Sequence, residues 1–197
     1  MFTGIIEETG IIKEIESHGT NKCFWVQSVL APGLKVDQSL SHNGVCLTVE
    51  EIKNGMHRVT AIEETLCKTN LGYWKNDTII NLERCMQLHG RLDGHIVQGH
   101  VDCTAICVEV VEKAGSWEYS FKFPENFAAF IIEKGSVTVN GISLTCFNVT
   151  NDCFTVAIIP YTFEHTNMNS LKKADVVNIE WDVVGKYVSR IMQLKTL

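Results

Sequence analysis

The sequence has no excess of positive charge: 17 Lys and Arg stand against 23 Asp and Glu, a formal net charge of −6. That balance excludes a global basic field able to hold nucleic acid or an anionic membrane surface. No stretch reaches the roughly 18 uninterrupted apolar residues of a membrane-spanning helix. The opening, Met1 to Glu8, lacks the basic start and apolar centre of a secretory leader, so a cytoplasmic location is expected. There is no Cys-x-x-Cys pair, no zinc-spaced ligand cluster and no Gly-x-Gly-x-x-Gly loop. The sequence thus carries neither a zinc-ligand motif nor a dinucleotide-binding fingerprint. The eight cysteines carry no sign of a secreted disulfide framework. Most sit among Val, Ile, Leu and Phe, where a free thiol packs as a small apolar group; Cys46 is treated separately.

What is present is an ordinary globular composition, 45% hydrophobic over 197 residues, and an internal duplication. The run His42-Asn-Gly-Val-Cys-Leu-Thr48 matches Val139-Asn-Gly-Ile-Ser-Leu-Thr145 at an offset of 97 residues. Ile62–Leu71 matches Ile159–Met168, and Ile79–Glu83 matches Val176–Glu180, in the same register. Near the starts, Thr3–Thr9 resembles Gln98–Thr104 at an offset of 95, which implies a two-residue length change. A period this long is a domain duplication, because solenoid units run to roughly 20–50 residues.

Each copy reads as short strands. Lys22–Ser28, Val45–Ile52, His57–Ile62 and Thr78–Leu82 are β-rich, and Asn43-Gly44, Asn54-Gly55 and Asn140-Gly141 punctuate them as turns. The expected class is all-β, a small barrel or sandwich in each half. Helical turns are expected over Thr65–Leu71, Thr162–Met168 and Asn126–Lys134, the last stopped by Gly135. In the tail, Val184, Tyr187, Val188, Ile191 and Leu194 share one helical face. That face either packs on its own domain or forms an association surface; the pattern leaves both open.

These segments resemble the riboflavin synthase alpha-chain family over nearly the whole chain. The resemblance is carried by Met1-Phe-Thr-Gly-Ile5, His42–Thr48, Gly94–Asp102 and Asn140–Thr145 in that order. It implies two tandem six-stranded Greek-key β-barrels with a C-terminal amphipathic helix, divided as 1–96, 97–183 and 184–197. It also implies a homotrimer held by that helix, with each productive site between the N-terminal barrel of one subunit and the C-terminal barrel of the next. Association with lumazine synthase belongs to the same expectation. The implied reaction passes a four-carbon unit between two molecules of 6,7-dimethyl-8-ribityllumazine, giving riboflavin and 5-amino-6-ribitylamino-uracil. Two identical substrates in two similar pockets suit a duplicated domain, and holding them face to face removes an entropic cost of about 7–11 kcal/mol in well-aligned cases. No cofactor is implied, because the lumazine ring itself stabilises the carbanion formed at its methyl group.

Unlike roles require unlike pockets. Cys46 aligns with Ser143 and Thr48 with Thr145, so a thiol stands opposite a hydroxyl. His100 aligns with Ile5, and an imidazole with an ordinary pKa of about 6.5 suits proton abstraction near neutrality. His95 is expected to be structural; His18, His57 and His89 are expected to be surface or packing residues. By resemblance, Asp182, Ser39 and Thr145 also lie near the reacting centre. The implied binding residues are Gly4, Ile5, Ile6, Cys46, Leu47, Thr48, Thr60, Ala61, Ile62, Glu63, Glu64 and Thr65 for the first barrel. For the second they are Gly99, His100, Val101, Ser143, Leu144, Thr145, Ile159, Pro160, Tyr161, Thr162, Phe163 and Glu164. Lys134 matches a position that reaches a neighbouring subunit's substrate. Backbone groups at Ile5 and Leu47 suit a pyrimidine edge, while Thr65, Thr162, Glu64 and Glu164 suit a polyhydroxy ribityl chain. One departure is the acidic pair Glu63-Glu64, where family members often carry a basic residue before a single Glu.

Two other readings compete. A non-catalytic lumazine or flavin carrier shares the duplicated fold but departs from the pattern that Cys46, His100 and Ser143 preserve here. A tandem-barrel interaction protein would not need matching Asn-Gly-x-x-Leu-Thr turns in both halves.

Overall fold

A computed structural model of the chain describes residues 1–195. The first repeat runs β1 (Glu8–His18), β2 (Asn21–Gln27), β3 (Ser39–His42), β4 (Val45–Thr48), β5 (Glu51–Lys53), β6 (Met56–Ala61), α1 (Glu63–Lys68) and β7 (Ile79–Arg84). The second runs β8 (Cys103–Lys113), β9 (Ser116–Lys122), β10 (Ser136–Val139), β11 (Ile142–Phe147), β12 (Cys153–Ile158), α2 (Pro160–His165) and β13 (Val176–Trp181), followed by α3 (Val183–Lys195). The expected terminal helix over 184–197 is thus seen from Val183 to Lys195; Thr196 and Leu197 lie outside the described residues. The helix expected over Asn126–Lys134 is a 3-10 segment, Glu125–Phe130. Among the described residues no helix is long and apolar enough to cross a membrane.

The second repeat is a closed six-stranded Greek-key barrel in the order β10-β11-β12-β9-β8-β13, with β13 pairing back to β10. The first repeat has the same order with one difference. Its fourth strand is broken into β4, which pairs with β3, and β5, which pairs with β6. Val49 and Glu50 at the break keep their backbone bonds, to Gln38 O and Arg58 O at 2.9 Å each. In both repeats the long first strand carries a bulge, between Ile12 and Glu14 and between Cys107 and Glu109. An extra residue bends a strand and increases its twist, which lets β1 and β8 each serve two neighbours around the barrel.

Period-2 burial fills each interior. Phe24, Val26, Leu40, Val59 and Leu82 centre the first core, and Phe121, Phe154, Val156, Ile179 and Trp181 the second. The first core also holds His42 and His57, both fully buried with their Nε2 atoms 2.8 Å apart. Their repeat partners are Val139 and Phe154.

The two barrels meet at a pseudo-twofold built from asparagine. Asn43, Asn70 and Asn81 correspond to Asn140, Asn167 and Asn178, all six buried. The Asn70 N–H donates to Asn178 Oδ1 at 2.6 Å and the Asn167 N–H to Asn81 Oδ1 at 2.8 Å. Asn81 Nδ2 donates to Asn140 O, and Asn178 Nδ2 to Asn43 O, both at 2.9 Å. Amides that satisfy one another in a dry interface fix relative orientation, because any rotation leaves buried polar groups unpaired. At its centre the turns Asn43-Gly44 and Asn140-Gly141, all at positive φ, abut so closely that a Cβ on Gly44 would lie 2.8 Å from Gly141 N.

Candidate active site

The duplication folds so that each repeat's entry segment crosses to the other barrel. Phe2 and Val97 pair antiparallel, bringing the two segments side by side. From there Gly4 accepts the Ser143 N–H at 2.7 Å, and Gly99 accepts the Cys46 N–H at 2.9 Å. Both glycines have positive φ, and a Cβ on either would lie 2.6 Å from the Cβ of Ser143 or Cys46 respectively. Ile6 packs on the second core and Val101 on the first. Gly99, His100 and Val101, assigned by sequence to the second barrel's pocket, therefore belong to the first. Gly4 and Ile6, assigned to the first, lie against the second barrel, and Ile5 lines a separate cleft. A repeat alignment records which copy a residue comes from, not which barrel it covers.

The entry segments are anchored by buried carboxylates at equivalent positions. Glu83 Oε1 accepts Thr3 N and Thr3 Oγ1, each at 2.6 Å, and its Oε2 accepts Gly4 N at 3.0 Å. Glu180 Oε1 accepts Gln98 N at 2.7 Å, and its Oε2 accepts Gly99 N and His100 N at 2.9 Å each. Burial raises both carboxyls above the usual range, while the hydrogen bonds from the entry segments act in the opposite direction. The far end of the second segment is held by Asp102, which accepts Trp181 N at 2.9 Å and pairs with Lys186 of α3 at 2.6 Å.

A cavity of about 300 Å³ opens in the first barrel, lined by Cys46, Thr65, Gly99, His100 and Val101 with Val45, Glu64, Lys68 and Thr69. Thiol, imidazole, hydroxyl and an exposed Glu64–Lys68 ion pair at 2.7 Å share one opening. Of the other residues expected there, Leu47 and Ala61 are interior core residues, Thr60 bonds Cys23 Sγ and Glu50, and Thr48, Ile62 and Glu63 are exposed beside the opening's strands and helix.

The corresponding second-barrel position has different chemistry. Ser143 Oγ lies 2.7 Å from His95 Nδ1, and His95 Nε2 lies 3.2 Å from Thr138 Oγ1. Burial lowers the His95 pKa, with the Asp182 charge opposing it. His95 was expected to be structural, and the repeat alignment gave it no counterpart because it stands upstream of the repeated unit. Around this position α2 carries Thr162 and Phe163, half-buried, with Ile159, Pro160, Tyr161 and Glu164 exposed. Where the first barrel has Glu64 and Lys68, the second has Tyr161 and His165, their rings stacked at 4.1 Å. Phe163 stacks on Trp117 at 3.7 Å. Leu144 packs on the second core, and Thr145 faces outward.

Three expected residues do not line the cavity at Cys46. Ser39 lines a cleft of about 550 Å³ with Ile5, Arg84, Cys85 and Arg91; neither Cys46 nor Ser143 lines it. Asp182 lines a groove of about 320 Å³ under α3, and its Oδ1 accepts Val184 N at 2.9 Å. Lys134, at positive φ, places Nζ 5.1 Å from the Phe147 ring centre. Cys67 and Cys85 are exposed, unlike the packing thiols Cys23, Cys103, Cys107 and Cys146. Among the described residues no group of three His, Cys, Asp or Glu gathers at metal-binding geometry.

The chain matches the model of the lumazine binding domain twice, over residues 3–85 and 98–182. It is 39% identical to riboflavin synthase of Actinobacillus pleuropneumoniae over 196 residues, covering 99% of this chain and 91% of the relative. It is 38% identical to that of Bacillus subtilis (98% and 90% covered) and 40% identical to that of Mycobacterium bovis (98% of each). The fold superposes on LumP complexed with riboflavin with a TM-score of 0.86 at 22% identity, covering 92% of this chain and 99% of that one. It also superposes on LumP complexed with 6,7-dimethyl-8-(1'-D-ribityl) lumazine, with a TM-score of 0.84. Twin lumazine-binding repeats and full-length identity of this order place the chain in the riboflavin synthase family.

Proposed function

We propose that the chain is a riboflavin synthase that converts two molecules of 6,7-dimethyl-8-ribityllumazine into riboflavin and 5-amino-6-ribitylamino-uracil. The observation that carries this reading is the pair of like positions with unlike chemistry. One offers Cys46 beside His100, the other Ser143 hydrogen-bonded to His95. The two products together contain the same atoms as the two substrates, so the exchange consumes no oxidant, reductant or net water. What it needs is proton transfer at a methyl group, a nucleophile to open one ring, and two pteridines held together. His100, on the rim of the first cavity, is the proton carrier in this reading, and Cys46 is the candidate nucleophile beside it. Thr65 and Glu64 supply hydroxyl and carboxylate partners for a ribityl chain, as do Thr162 and Glu164 in the second barrel.

The same reading takes 1–96 and 97–183 as the two lumazine-binding units and 184–197 as the trimerisation helix. Val184, Tyr187, Val188 and Ile191 are each more than half exposed on α3, an apolar face that a homotrimer covers. In that trimer the first barrel of one subunit faces the second barrel of its neighbour, where Ser39, Asp182 and Lys134 come within reach of substrate. Association with lumazine synthase, which would deliver the substrate, extends this reading.

The test is purified protein with 6,7-dimethyl-8-ribityllumazine alone, followed by absorbance. One riboflavin for every two substrates, falling at least about 100-fold in His100→Ala, is expected. Tight fluorescent binding without riboflavin would leave a lumazine carrier.

A further inference from the structure

We propose that Glu180 is a positioning residue for the reaction: from a strand of the second barrel it sets His100 over Cys46 in the first. This rests on the reading that His100 carries protons in that pocket. Glu180 is 2% exposed and, among the described residues, makes no salt bridge. All three of its partners are main-chain N–H groups of consecutive residues, Gln98, Gly99 and His100. A carboxylate that only accepts fits three converging donors, and these N–H groups form the kind of concave nest that holds an anion. The nest fixes the segment at the point where Gly99, at φ +81, turns against Cys46. His100 itself is exposed and, among the described residues, its ring makes no side-chain hydrogen bond, so the ring is placed by its backbone. Burial raises the Glu180 carboxyl, and a proton on it would turn one acceptor oxygen into a donor facing N–H groups. Glu83 holds the other entry segment by the same device, but that segment carries Ile5 in place of an imidazole.

A double-mutant cycle between Glu180 and His100 tests this, with kcat and KM measured for riboflavin formation. Glu180→Gln keeps the shape but sets an NH2 group against an N–H donor. It is expected to lower kcat about tenfold with KM changed less than about twofold, the pattern of a group acting only in the transition state. In a His100→Gln background the same substitution is expected to cost less than about twofold, because its effect passes through the imidazole. Glu180→Asp, which keeps the charge but withdraws it by one methylene, is expected to fall between and serves if Glu180→Gln does not fold. Losses that multiply in the double variant, or an unchanged kcat in both Glu180 variants while His100→Gln is impaired, overturn the positioning role and leave the proposed reaction standing. A silent His100→Gln overturns the reading of His100 itself.

Discussion

The two barrels share a frame and differ in what the frame holds. Six asparagines, the glycine turns at the pseudo-twofold and the crossing glycines Gly4 and Gly99 occur as matched pairs. The anchors Glu83 and Glu180 share two of their three bonds, the third going to Thr3 Oγ1 in one and to His100 N in the other. The reactive groups do not match. Cys46 with His100 faces the first cavity, whereas Ser143 bonds His95 in the second barrel. Duplication thus preserved the frame, while the side chains at the two candidate positions diverged. The cores diverged too: a histidine pair in the first barrel stands where the second has Val139 and Phe154.

The largest expected effect comes from breaking the exchange of entry segments. Gly99→Ala sets a Cβ 2.6 Å from Cys46 Cβ and 2.9 Å from Phe2 Cε2, on a backbone at φ +81. A loss of about 3 kcal/mol in urea unfolding is expected, together with loss of riboflavin formation. Gly4→Ala should act alike through Ser143; a tolerated alanine at either position would show that the crossing is not required.

Acid should separate the barrels next. His42 Nδ1 lies 3.0 Å from Leu40 O, so its N–H donates there and His42 Nε2 accepts from His57 Nε2. A proton on His42 Nε2 removes the acceptor of that bond, and a proton on His57 would sit on Nδ1, which is buried without a partner among the described residues. Val45, Leu82, Val26 and Ile52 stand opposite them in register, with no carboxylate among these neighbours to stabilise a proton. Burial, with His57 adding repulsion, holds His42 well below the ordinary range, and burial takes His57 down to about 4. The folded pKa values lie below the unfolded value of about 6.5, so the pair's stability is present above pH 6.5 and is lost as pH falls toward 4. Each ring contributes about 1.4 kcal/mol per pH unit inside that window. Urea unfolding at stepped pH should show this slope, and His42→Val/His57→Phe, which copies the second barrel, should remove it.

Exchanging the reactive groups gives a smaller effect. Cys46→Ser makes the first pocket resemble the second and should lower kcat about tenfold, given the weaker nucleophile. An unchanged kcat would mean that the thiol–hydroxyl difference does not divide the roles. The smallest effect is expected at the rim: Lys68→Ala removes an ion pair whose side chains are 62% and 68% exposed, and the thermal midpoint should not move.

Much of this frame was legible because it is local. Asn-Gly turns, alternating strands and an offset of 97 shared by three blocks gave the duplicated all-β architecture, and Cys46 opposite Ser143 followed from the register. The crossing of Gly4 and Gly99 was not legible, since an offset carries no information about which barrel a segment leans on. Nor was the break between β4 and β5, where Val49 and Glu50 exchange strand pairing for bonds to Gln38 and Arg58. His95 escaped because it precedes the repeated unit. Ser39, Asp182 and Lys134, carried over by resemblance, do not line the cavity at Cys46, and their proposed role needs a neighbouring subunit.

In the proposed enzyme one chain offers two lumazine positions, each walled by the other repeat's entry segment. A crystal structure with a non-reacting lumazine analogue tests it most directly. Two ring systems per chain are expected, one against Cys46, Thr65 and His100 and one against Ser143, Thr162 and Gly4. A single ligand per chain, or one seated in the cleft beside Ser39 and Arg84 with both of those positions empty, would contradict it.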